Sequence, residues 1–264
     1  MRATEGRKRV VIEGVKPEID SGRFPIKRVR GEDVAVEADA FADGHDLLGC
    51  ALLWRRDGDE GWVEVPMDSL PDDRWRGRFT VEELGRYRYS VRAWVDRFAT
   101  WRRDLAKRAE AGQDLAVELQ IGLTMVTAAV RRATGPERTE LRTFAKRLQE
   151  DGPDAVEAAL DPTLASLMST FGERRFPTTY PRELQVVVDR ELAGFGAWYE
   201  LFPRSTGPAR RHGTFDDVIA RLPYVAGMGF DVLYLPPIHP IGTSFRKGPN
   251  NALTAGPEDP GSPW

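Results

Sequence analysis

With 264 residues, 41% of them apolar, the chain has the length and hydrophobic content for one large or two ordinary domains with real cores. Its 38 basic residues are interspersed with 41 acidic ones for a formal net charge of −3, which argues against bulk affinity for nucleic acid or an anionic membrane. Cys50 is the single cysteine, so no internal disulfide forms, no apolar run approaches membrane-spanning length, and the start MRATEGRKRVVIEG has no apolar segment of signal-peptide size; the expected location is cytosolic.

In chain order, Arg9 to Ile12, Val29 to Phe41, Leu47 to Arg55, Trp62 to Val65, Arg74 to Thr80 and Gly85 to Trp94 read as strands. Val34, Val36 and Ala38 alternate with Ala35, Glu37 and Asp39, and Tyr87, Tyr89, Val91 and Ala93 alternate with Arg86, Arg88, Ser90 and Arg92. DGDEG at 57–61 and PDD at 71–73 supply turn chemistry between them. Short strands at such spacing predict an immunoglobulin-like β-sandwich. Trp54, Trp62, Trp75 and Trp94 have two readings, a sugar-stacking platform or core and edge residues of the sandwich, and the second is preferred because aromatics dominate core burial.

From Thr100 to about Phe171 the pattern turns helical, with leucines and valines at spacings of three and four. Breaks at Gly112, Gly135-Pro136, Asp151-Gly152-Pro153 and Asp161-Pro162 divide it into three to five helices. Leu184 to Asp189 returns to strand, so the helical block reads as an insertion into the sheet begun by the first hundred residues. The resulting layout is a β-sandwich over 1–99 and 174–190, a helical bundle over 100–173, and a third region over 191–264.

That third region holds a strand-helix-strand order. Trp198 to Phe202 is strand-like; Thr214 is a plausible N-cap followed by Asp216 and Asp217 in the first turn; Val218, Ile219, Leu222, Val225 and Ala226 give the helical period; Gly227 and Gly229 stop it. Val232 to Leu235 reads as a parallel strand covered on both faces, ended by Pro236 and Pro237. In open α/β sheets and barrels alike, the loop after such a strand lies where ligands bind.

WYELFPRS at 198–205, GTFDDVIARLPYVAGMGFDVLYLPPIHPIG at 213–242 and RKGPNN at 246–251 resemble the opening of the catalytic barrel of the α-amylase superfamily. Within it the PPIHPIG…RKGPNN…DPGSPW continuation is similar to the family of glucan-extending maltosyltransferases that use maltose 1-phosphate. The resemblance implies a (β/α)8 TIM barrel of which only the start, truncated after strand two, lies before Trp264, and a homodimer formed with help from the inserted bundle. It implies as substrates maltose 1-phosphate and an α-1,4-glucan, with maltosyl transfer to the glucan's non-reducing end, retention of configuration and phosphate release.

Retaining glycosyl transfer needs a carboxylate nucleophile and an acid roughly 5 Å apart. In that superfamily they stand on later barrel strands, so no residue here is assigned a catalytic role and the chain by itself is expected to be inactive, the N-terminal part of the enzyme. The substrate-binding candidates are Lys247, a cation for a sugar hydroxyl or phosphate, and Asn250 and Asn251, amide donors to sugar oxygens; for each the bland alternative is a solvated loop. His239, with no nucleophile or carboxylate near it in sequence, is read as fixing its loop. No cofactor or metal is expected: there is no phosphate-cradling GxxxxGK[ST], no GxSxG, no Cys/His metal spacing, and GFG at 194–196 is a linker. The alternatives are another α-amylase-superfamily enzyme or a non-catalytic glucan-binding or assembly module.

Overall fold

The computed structural model describes residues 6–150, 152–209, 211–239 and 242–259. The chain divides into two units, Met1–Asp189 and Arg190–Trp264. The structure is mixed sheet and helix.

In the first unit, eight strands precede any helix: β1 (Val10–Lys16), β2 (Ile26–Val29), β3 (Asp33–Ala42), β4 (Leu48–Arg56), β5 (Val63–Pro66), β6 (Asp68–Ser69), β7 (Arg74–Thr80) and β8 (Gly85–Val95). Five helices follow, α1 (Arg97–Glu110), α2 (Ala116–Arg132), α3 (Gly135–Arg147), α4 (Pro153–Leu160) and α5 (Pro162–Phe171), then β9 (Thr178–Thr179) and β10 (Leu184–Asp189). One sheet has the order β1-β3-β7-β6; the other runs β2-β10-β8-β4-β5, with β9 also on β8. Both sheets turn their alternate residues into one core: Val34, Val36 and Ala38 from the first, and Leu52, Tyr89, Val91 and Val186 from the second, are wholly buried. Trp54 stacks on Phe79 across that core, ring centroids 5.1 Å apart and 9° from parallel. Cys50 is buried there with its Sγ 3.5 Å from Met67 Sδ, and burial pushes its thiol up to about 12.

The strand expected from Val29 to Phe41 starts only at Asp33 as β3, and Val29 instead ends β2, a strand that was not foreseen and that lies in the other sheet. Gly31, at φ +88°, turns the chain, so β2 pairs in parallel with β10 (Ile26 opposite Val186) while β3 pairs with β1 and β7.

Three of the breaks foreseen in the helical segment are where α3, α4 and α5 start, and the fourth, Gly112, follows the end of α1. Proline stands in the first turn of α3, α4 and α5, where its missing N–H costs nothing. Asp96 caps α1 by accepting from Ala99 N at 2.8 Å, and Asp161 caps α5 by accepting from Thr163 N at 2.7 Å. These helices enclose a separate core built on Leu105, Val126, Ala129, Leu141, Ala158 and Leu164. Gly122 lets α1 and α2 approach: a Cβ there would stand 2.2 Å from the Trp101 ring, whose Nε1 donates to Glu118 O at 2.9 Å. After α5 the chain rejoins the sheet beside its point of exit, with Thr178 opposite Ala93 of β8 and Leu184 opposite Tyr89.

The second unit is smaller: β11 (Trp198–Glu200), α6 (Phe215–Gly227) and β12 (Val232–Tyr234), the strands paired in parallel with Trp198 opposite Val232. Val232 to Leu235 has the apolar run of a strand covered on both faces, but with only β11 and α6 beside it among the described residues the run is left partly open. Val232 and Leu233 are half-buried and Tyr234 is 40% exposed, because a two-stranded sheet with one helix offers too little to cover them. Of the apolar positions that marked α6, Val218 and Val225 are buried, whereas Ile219 and Leu222 face solvent.

Candidate functional site

The carboxyl ends of β11 and β12 and the amino end of α6 meet, as strand-helix-strand geometry requires. The turn leaving β11 is a 3-10 turn over Pro203–Thr206, held by Thr206 Oγ1 donating to Pro203 O at 2.6 Å. Gly213 N donates to Arg204 O at 2.9 Å, and a Cβ on Gly213 would lie 2.2 Å from Pro203 O, so only glycine lets the chain pass this close.

One residue on, Thr214 starts α6 with a capping box. Asp217 accepts from Thr214 N at 2.7 Å and from Thr214 Oγ1 at 3.0 Å, and Arg211 Nη2 reaches both Asp217 oxygens at 2.9 Å. The Thr214 N–H, then its hydroxyl and Arg211, hold the Asp217 carboxyl below the ordinary aspartate range. At α6's other end Gly229, at φ +86°, takes the left-handed conformation that stops a helix.

Between these loops lies an open pocket of about 260 Å³. Phe202, Phe215 and Ile238 give it apolar walls, and Arg204, Thr214 and His239 its polar groups. A cation, a hydroxyl, an imidazole and a helix amino terminus around apolar walls suit a polar ligand that carries hydroxyls or negative charge.

Lys247, Asn250 and Asn251 share one turn further along the chain. Lys247 is half-buried; Asn250 and Asn251 are exposed and hold left-handed backbone, φ +51° and +64°, which asparagine tolerates better than most side chains. Gly248 N to Ala252 O at 2.9 Å and Ala252 N to Pro249 O at 3.1 Å close this turn. The three candidates are thus grouped with one another, but none lines the pocket at the strand ends. His239 does line it and is exposed; Pro240 and Ile241, which follow it, lie outside the described residues. Sequence reading missed Arg204, Phe202 and Thr214 as pocket residues. The available signal was their position, immediately after a strand or at the start of the next helix.

The four tryptophans form no common platform. Trp54 is spent on Phe79, and Trp62 lies beneath Arg55, whose guanidinium is 4.6 Å from its ring. Trp75 and Trp94 reach a second cavity, in the first unit. Among the described residues no group of three or more His, Cys, Asp or Glu is placed to hold a metal, and no helix is long and apolar enough to cross a membrane.

Comparison with known proteins gives this geometry a family. The family model described as alpha-1,4-glucan:maltose-1-phosphate maltosyltransferase, domain N/S, matches residues 8–190. A protein of that name from Chlorobaculum tepidum is 49% identical over 265 residues, covering 100% of this chain and 40% of the relative. Another from Myxococcus xanthus is 46% identical, covering 99% of this chain and 41% of the relative, and one from Burkholderia pseudomallei is 44% identical over 97% of this chain and 23% of its own length. The chain spans about two fifths of the length of the first two. On the match across 8–190 and identities above two fifths along nearly the whole sequence, the chain belongs to the alpha-1,4-glucan:maltose-1-phosphate maltosyltransferase family.

Proposed function

We propose that this chain forms the opening part of an enzyme that transfers maltosyl units from α-maltose 1-phosphate to the non-reducing end of an α-1,4-glucan, with retention and release of phosphate. The observation that carries the reading is the parallel β11-α6-β12 unit with the RKGPNN loop beyond its second strand, in a chain of this family. We read residues 191–264 as the start of a (β/α)8 barrel, 1–99 with 174–190 as an immunoglobulin-like sandwich, and 100–173 as its inserted bundle.

In this reading the half-buried Lys247 gives its ammonium to the donor's phosphate or sugar oxygens. Asn250 and Asn251 give amide hydrogen bonds to sugar hydroxyls, their left-handed turn presenting both side chains from adjacent positions. Retaining transfer also needs a nucleophile and an acid; neither role is assigned to a carboxylate of this chain. In the same reading the helical bundle, whose α2 leaves Val117 and Ile121 exposed, contributes the surface of a homodimer. The lone buried thiol of Cys50 fits a cytosolic setting.

The test uses the complete reading frame that contains this chain, supplied with α-maltose 1-phosphate and maltohexaose. The expected result is phosphate release with glucans lengthened in maltosyl steps, and an increase of about tenfold or more in donor KM for Lys247→Ala, the loss of one charge-assisted contact. Release of maltose without chain extension would make the protein a hydrolase of the same superfamily and overturn the reading.

A further inference from the structure

A cavity of about 500 Å³ opens in the first unit where the two sheets and the end of α5 come together. Its size falls within the roughly 300–1,000 Å³ range of small-ligand pockets. It brings together residues far apart in sequence and from separate layers: Trp75 from β7 of one sheet, Trp94 from β8 of the other, Glu64 from β5, Asp96 from the cap of α1, and Thr170 and Arg174 from the end of the helical block.

The chemistry of this lining is specific. Its charged side chains are Glu64, Asp96 and Arg174. Glu64 Oε1 accepts from Arg92 at 3.0 Å and its Oε2 pairs with Arg174, so the two carboxylates are offset by two guanidinium groups. A site without net charge concentrates neither anions nor cations, which argues against a sugar phosphate, free phosphate or a metal. What it offers is carboxylate lone pairs beyond those used by arginine, a hydroxyl at Thr170, and aromatic surface. The Arg174 guanidinium covers Trp94, 4.1 Å from its ring, so the aromatic surface comes from Trp75. Trp75 is half-buried and fixed by Nε1 donating to Ala40 O at 3.2 Å. A rigid indole beside hydrogen-bonding groups in a neutral cleft matches a neutral polyhydroxylated ring, with its C–H face on the indole and its hydroxyls on the carboxylates and Thr170.

From this lining we infer that the Trp75–Glu64–Thr170 cleft binds a segment of neutral α-glucan, as a subsite built from residues other than Lys247, Asn250 and Asn251. The ligand class rests on the proposed function; the location rests on the cleft. The subsite holds acceptor chain and takes no part in bond making.

The test measures retardation of the chain in native gels containing glycogen, with maltoheptaose as competitor and cellohexaose as control. Retardation relieved by maltoheptaose and not by cellohexaose is expected, weakened about tenfold in Trp75→Ala, the scale of one aromatic contact with its buried area. Because Trp75 packs against the core, Thr170→Arg serves as the second variant: Thr170 is exposed, the ligand is neutral, and added bulk alone is expected to abolish retardation. Absence of retardation, or retardation unchanged in both cleft variants, overturns the inference. Cleft-dependent glycogen binding by a full-length protein that fails to extend glucans would sink the enzyme reading and leave the cleft standing. Normal extension with no effect of Thr170→Arg on glycogen binding would sink the cleft alone.

Discussion

Asp96 stands where the sheet hands over to the helices, and burial raises its carboxyl against the opposing pull of the Ala99 N–H. A raised folded-state value means the native state holds the proton more tightly than the unfolded chain does. That contribution is complete below the ordinary aspartate range, near 3.9, and is lost as pH rises through the folded value. Asp96→Asn keeps a capping acceptor and cannot ionise. Thermal melts of the asparagine variant and the native chain are therefore expected to diverge in favour of the variant as pH rises above the ordinary aspartate value near 3.9, whereas Asp96→Ala stays about 1 kcal/mol below Asp96→Asn at every pH, since neither ionises and only the asparagine keeps the cap. A native chain that gains on Asp96→Asn as pH rises would show that attraction to Arg174 outweighs burial. Such residues are poorly legible in sequence. Lys247, Asn250 and Asn251 were put forward because they stand in a run with a recognisable spelling, while Arg204 and Thr214, which line the pocket, belong to loops whose geometry no periodicity records.

Gly122 shows how much an element depends on one missing methyl group. With a Cβ 2.2 Å from Trp101, Gly122→Ala has to drive the indole off Glu118 O or separate α1 from α2. Despite alanine's better helix propensity, the variant is expected to melt lower, by about 1–3 kcal/mol in guanidinium titration; a neutral or stabilising result would mean the helices separate freely. Strands β4, β7, β8 and β10 and a helical segment of three to five helices could be read in advance, and five are present among the described residues of the first unit, because strict alternation and proline or glycine breaks survive in the final packing. The boundary between β2 and β3 was missed, although the apolar phase changes between Val29 and Val34 and Gly31, at φ +88°, stands in the polar stretch where the chain turns. Two-residue β6 and β9 are too short to have a period. On α6 the period gave the helix and overstated its burial, because a helical stripe says which face is apolar and not whether anything lies against it.

For the whole molecule the contrast is between a first unit with two extensive cores and a second whose large apolar side chains are open to solvent: Phe195 at 83%, Trp198 at 64%, Phe245 at 101% and Leu253 at 83%. Chymotrypsin is expected to cut the second unit first and leave a resistant product ending near Asp189, followed by mass spectrometry over time; cleavage at equal rates along both units would contradict it. The pairing of Leu184 with Tyr89, and of Val186 with Ile26, also sets an order of events during synthesis. On the ribosome β8 emerges with one edge vacant and waits while the whole helical block is translated, so the nascent sheet is a template for mispairing until β10 arrives. Local folding of α1 to α5 shortens that wait in space if not in time, delivering Thr178 back to Ala93 so that the last strand has only a short search left to make.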